Sequence, residues 1–101
     1  MPYRIVVTPE ARDQLGAIYD YIADAASDDI ALRFIDGVIG RLDTLAEYPR
    51  IGTPRDDLRS GLRTFAHRHR VTIAFIVEDI SVVVIGFYYG GQDFEALLRA
   101  E

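Results

Sequence analysis

The chain has 101 residues and contains no cysteine, no tryptophan and no lysine. Without cysteine it can form neither a disulfide nor a thiolate metal site, which fits a reducing, cytoplasmic setting. Without lysine, Schiff-base chemistry and a lysine general base are both excluded. All 11 bases are therefore arginine, a group that steadies anions but scarcely moves protons. Two histidines, His67 and His69, are too few for a metal centre. No apolar run approaches the roughly 18 residues that suggest a membrane span. The opening Met-Pro-Tyr-Arg-Ile-Val-Val has too short an apolar stretch for a signal peptide. A phosphate loop, a dinucleotide fingerprint and a nucleophile elbow are also missing. These absences predict a chain with no cofactor, no metal and no membrane association.

Half of the residues are apolar, and the length suits one domain over residues 1–101 that buries roughly 65% of its unfolded surface. The net charge of −5 argues against strong nucleic-acid binding by the whole surface. It is unevenly distributed: residues 1–49 carry −5, residues 50–70 carry +4, and residues 71–101 carry −4. The basic stretch consists of Arg50, Arg55, Arg59, Arg63, Arg68 and Arg70 against Asp56 and Asp57.

Tyr3 to Val7 reads as a β-branched strand. Thr8-Pro9-Glu10 then opens a helix, with Thr8 as cap, proline at the first position and an acid in the first turn. Leu15, Ile18, Tyr19 and Ile22 form its apolar stripe, while Asp20 and Asp24 face water. After a break at Ala25-Ala26, Ser27 caps a second helix whose broad stripe is Ile30, Phe34, Ile35, Val38, Ile39, Leu42 and Leu45. Pro49 ends it, and so short a break makes the two helices an antiparallel hairpin. Gly37 and Gly40 inside the second helix each cost about 1 kcal/mol against alanine, which suggests close packing of helix on sheet. Residues 49–61 read as a loop with a helical turn near Asp56 to Arg59. Leu62 to Phe65 is a short strand, Ala66 to His69 a turn, and Arg70 to Val77 a strand apolar on both faces and hence central. A turn at Glu78-Asp79 leads into a strand from Ile80 to Tyr89, closed by Gly90-Gly91. Phe94, Leu97 and Leu98 mark a short terminal helix or docking tail. The expected order is β-α-α-β-β-β: an α+β fold with an N-terminal strand, an antiparallel α-hairpin and a three-stranded antiparallel segment in one mainly antiparallel sheet.

Two constellations could carry chemistry or recognition. Arg59, Arg63, His67, Arg68, His69 and Arg70 could grip phosphates with a histidine for proton transfer, or pair with acidic helices or an acidic partner. Tyr88, Tyr89, Gly90, Gly91, Gln92, Asp93 and Phe94 could stack a base or anchor a partner, or close the edge of the core. A single hairpin covers one sheet face, so the other face or the groove beside the hairpin should stay apolar and open to a partner or a second copy.

The order and residues resemble the ParE branch of the RelE/ParE toxin superfamily of type II toxin–antitoxin modules. The resemblance runs from Val7-Thr8-Pro9-Glu10-Ala11 through Asp13-Gln14-Leu15 and Ile18-Tyr19-Asp20-Tyr21-Ile22. It continues over Arg41-Leu42, Tyr48-Pro49-Arg50-Ile51-Gly52, Leu62-Arg63 and Ile73-Ala74-Phe75-Ile76-Val77 to the close at Ile85 to Leu98. It implies a toxin that arrests bacterial growth by binding DNA gyrase without catalysis, as in plasmid stabilisation. A ParD-like antitoxin would neutralise it by folding over the hairpin and sheet, in a heterotetramer or larger complex. The implied partner surface is Arg59, Arg63, Arg68, Arg70, Tyr88, Tyr89, Gln92, Asp93 and Phe94. No sequence-specific DNA binding by the chain itself is expected. The enzymatic alternative is a ribosome-dependent mRNA endonuclease of the RelE type, with Arg63, His67 and Tyr89 as its catalytic set. Against it, Gly86 stands where many members carry arginine and Tyr89 where many carry histidine. A third possibility is a non-toxic interaction module.

Overall fold

Thr8 Oγ1 accepts a hydrogen bond from the Ala11 amide at 3.2 Å, and Ser27 Oγ accepts one from the Ile30 amide at 3.2 Å. These two caps start the helices that dominate the computed structural model, which describes residues 2–90 and 92–99. The elements are β1 (Arg4–Val7), α1 (Pro9–Ala25), α2 (Asp28–Glu47), β2 (Thr53–Pro54), β3 (Leu62–His67), β4 (Val71–Glu78), β5 (Ser81–Tyr89) and α3 (Phe94–Arg99). The sheet order is β1-β5-β4-β3-β2, with β1 parallel to β5 and every other pairing antiparallel. The fold is therefore α+β with one mainly antiparallel sheet, and β4 lies at its centre.

Several boundaries differ from the sequence reading. The short strand β2 was not foreseen; it pairs Thr53 with Thr64 and Pro54 with Arg63 at the sheet edge. His67 belongs to β3 rather than to a turn, paired with Val71, so the reversal falls on Arg68, His69 and Arg70. The β4–β5 turn is Asp79-Ile80, one residue later than expected. Ile30 and Ile39, placed in the α2 stripe, are 51% and 46% exposed, because a stripe that broad exceeds what one sheet face can cover. Gly91 lies outside the described residues.

On one face, Ile18 and Ile22 of α1 and Val38, Leu42 and Leu45 of α2 pack on Val71, Ile73, Phe75, Val82, Val84 and Phe87. The other face does not stay open as expected. Leu98 of α3, with Phe94 and Leu58, covers Leu62, Ala74 and Tyr88. A bulge decides which side chains reach which face. Ala74 pairs with Gly86 and Phe75 with Val84, leaving Ile85 as the extra residue of β5. The extra residue shifts the alternation by one, so Phe87 joins Val82 and Val84 under the hairpin while Tyr88 turns to the α3 side. Gly86 is what admits Tyr88: a Cβ there would lie 2.5 Å from the phenol oxygen.

Candidate functional site

At the end of the sheet beneath the α1–α2 connection, β3, β4 and β5 present His67, Val71 and Tyr89 in one row of the ladder. The Tyr89 ring lies 5.6 Å from Tyr21 of α1 and 5.8 Å from Phe34 of α2, nearly perpendicular to the latter. Phe34 also meets the His67 ring edge-on at 5.5 Å. Such tilted aromatic contacts place ring edges against ring faces. The result is a wall that begins with the exposed Tyr21 and ends at buried His67.

Two cavities flank this wall. One, of about 410 Å³, lies between α1 and the end of β5 and is lined by Gln14, Ile18, Tyr21, Phe87, Tyr89 and Gln92, among others. Its amides are engaged: Gln14 Oε1 accepts from the Phe87 amide at 2.9 Å, and Gln92 Oε1 from the Tyr89 amide at 2.8 Å. The second, of about 400 Å³, is lined by Ile30, Arg33, Phe34, Arg68 and Arg70. Among the described residues, none of its three arginines takes part in an ion pair.

The predicted residues divide between this tip and the rest of the molecule. Arg68, Arg70 and Tyr89 meet at the tip, with Gln92 beside them. Arg63 sits four residues before His67 on β3, roughly 13 Å along the strand. Its guanidinium is tied to the carbonyls of Arg50 and Ile51. Arg59 lines a different cavity, with Thr8 and Glu10 at the opposite end of α1. Tyr88 is buried on the far face, 6.2 Å from Phe94. Asp93 starts α3, its Oδ1 accepting from the Ala96 amide at 3.1 Å.

His67 is 6% exposed, and its Nε2 has no hydrogen-bond partner. Burial pushes its pKa below the ordinary histidine value, and the nearby charges of Arg68 and Arg41 push it further the same way. Gly37 gives it room, since a Cβ there would stand 3.0 Å from Nε2. Gly40 faces open space instead, so close packing accounts for only one of the two helix glycines. The residue that sequence reasoning missed is Arg33, counted with the acidic first half; one turn of α2 after Asp29, it carries no local signal of its role. No group of residues among those described could hold a metal ion, and no described helix is long and apolar enough to cross a membrane.

The architecture is shared with solved toxin–antitoxin structures. A chain from a chromosomal ParDE system of P. aeruginosa aligns with a TM-score of 0.76 at 20% identity, over 86% of this chain and 95% of that one. A chain from the RelBE2 toxin–antitoxin complex of Mycobacterium tuberculosis aligns with a TM-score of 0.59 at 22% identity, over 89% and 100%. No curated protein matches the sequence significantly. At the level of sequence families, the model described as the ParE toxin of the type II toxin–antitoxin system parDE matches residues 5–94. The chain belongs to the ParE toxin family, within the RelE/ParE superfamily, and is a toxin of the type II class.

Proposed function

We propose that this toxin acts by binding DNA gyrase and arresting DNA supercoiling, and that a cognate ParD-like antitoxin neutralises it. The antitoxin folds as it binds across the hairpin and sheet, in a heterotetramer or larger assembly. Family membership supports the toxin–antitoxin setting. The observation that favours recognition over RNA cleavage is the separation of Arg63 from His67 and Tyr89, which share one row of the sheet. A phosphodiester cleavage site needs a proton acceptor and a charge stabiliser on the same scissile bond. Here the imidazole is buried against Gly37, and the Arg63 guanidinium is held by backbone carbonyls further down the strand. The tip formed by the exposed Tyr21, Arg68, Arg70 and Gln92 with the half-buried Tyr89 instead offers a surface for protein partners.

Purified gyrase provides the test. Addition of the chain should stop supercoiling of relaxed plasmid and accumulate cleaved DNA, and prior addition of antitoxin should reverse the effect. Normal supercoiling at saturating toxin overturns the gyrase assignment. Ribosome-associated transcript cleavage that disappears in a His67→Ala variant would replace it with the endonuclease reading.

A further inference from the structure

The geometry points to the Arg33–Arg68–Arg70 pocket as a receptor for carboxylate side chains of a protein partner, with the Tyr21–Tyr89 cavity beside it taking an apolar side chain of the same segment. The proposal rests on the toxin–antitoxin reading and assigns the segment to the antitoxin.

Three observations carry it. First, the chain holds more acids than bases, yet three of its 11 arginines converge on one cavity with no carboxylate between them. Arg55 shows the contrast: it forms a two-bond pair with Asp57 at 3.0 Å and also meets Glu95. Unpaired guanidiniums are strongly anion-seeking, and their planar fork suits a carboxylate. Second, the turn that presents Arg68 and Arg70 holds Arg68 at φ 53° and His69 at φ 57°. Glycine or asparagine adopts that left-handed backbone with less strain, so at Arg68 a charged side chain stands where conformation alone favours other residues. Third, the pocket walls are apolar: Phe34, and Ile30 at 51% exposure.

That mixture selects the class of ligand. A nucleic-acid backbone carries a charge every few ångströms and would pass Asp24, Asp28 and Asp29, which are all exposed around the α1–α2 connection. It would also gain nothing from covering Ile30. A peptide segment brings one or two carboxylates to the arginines and an apolar residue to the adjoining cavity, leaving the acidic rim in water.

The test uses the full chain and a fluorescein-labelled ParD-like antitoxin, titrated by anisotropy between about 50 and 200 mM salt. The combined Arg33→Glu, Arg68→Glu and Arg70→Glu variant should bind about 100-fold more weakly, with most of the salt dependence gone. Arg4→Glu, on an exposed strand position elsewhere, should change affinity less than about twofold. Arg68→Gly fits the turn better than arginine does, so it should weaken binding several-fold while raising the thermal midpoint, separating recognition from misfolding. Antitoxin binding that charge reversal leaves intact overturns the pocket assignment alone. A wild-type chain that fails to bind the antitoxin overturns the reading beneath it. Displacement of the antitoxin by a 20-nucleotide DNA strand at about 150 mM salt would make the pocket a phosphate site and overturn the carboxylate proposal.

Discussion

On the hairpin face of the sheet, two helices of 17 and 20 residues lay Ile18, Ile22, Val38 and Leu45 onto Ile73, Phe75 and Val84. On the opposite face, a six-residue helix brings Leu98 and Phe94 to Leu62, Ala74 and Tyr88. The first face is held by apolar area. The second has little area, and ion pairs supplement it: Arg55 bridges Asp57 and Glu95 and lies 5.9 Å from the Phe94 ring centre, linking the 55–61 turn to α3. Hydrogen bonding to Asp57 and then Glu95 raises the Arg55 pKa, and the bond from Arg55 lowers that of Asp57. Arginines on the two faces therefore differ in their pairing. Arg55 ties the turn to α3, whereas Arg33, Arg68 and Arg70 at the hairpin tip form no ion pair among the described residues.

If apolar area decides the first face, its deepest side chain should dominate stability. Phe75 is fully buried at the centre of the sheet, and Phe75→Ala should cost about 3–5 kcal/mol, enough to unfold a marginal domain. Leu98 is 1% exposed but sits on a short helix that can settle into the space it leaves, so Leu98→Ala should cost about 2–3 kcal/mol. Urea unfolding of both variants measures the difference. Equal losses would mean that the two faces form one cooperative core and that the contrast is only geometric.

Much of this was legible in the sequence because the signals are local. The Thr8-Pro9 and Ser27 caps fix both helix starts, and the Ile18–Ile22 spacing fixes the face that α1 buries. The two-faced apolar composition of residues 70–77 correctly puts β4 at the sheet centre. The bulge at Ile85 was not legible, because it arises from pairing with β4, and it separates Tyr88 from Tyr89 onto opposite faces. Two residues that look like one aromatic motif thus belong to different surfaces. Linear charge counting had the same weakness. The +4 stretch splits between an internally paired Arg55 and an outward tip, and the tip's third arginine, Arg33, comes from the acidic half of the chain.

The boundary between tip and core runs through His67, which should make stability pH-dependent. Its folded pKa lies below the ordinary value of about 6.5, so the unfolded chain binds a proton more readily than the native one. The neutral imidazole therefore contributes stability that is complete above about pH 6.5 and is lost as pH falls through the lower folded value. Unfolding midpoints in urea measured from pH 7.5 down to pH 5 should fall, and His67→Phe should flatten that part of the profile. A slope unchanged by the substitution would assign the pH dependence to other groups and make His67 indifferent to its charge.

The smallest effect gives the most local comparison, between two glycines three residues apart in α2. Alanine is the better helix former by about 1 kcal/mol, and a Cβ at Gly40 meets nothing within 4 Å. Gly40→Ala should therefore stabilise the protein by about 0.5–1 kcal/mol, raising the thermal midpoint by several degrees. At Gly37 the same methyl group stands 3.0 Å from His67 Nε2 and 3.2 Å from Cε1. That ring is already held edge-on by Phe34 and has little space to retreat. The propensity gain is then offset by crowding, and Gly37→Ala should leave the midpoint unchanged or lower it. Equal stabilisation by both substitutions would mean that the imidazole shifts freely, and the tip would then be a more pliable surface than the packing of Phe34, His67 and Tyr89 indicates.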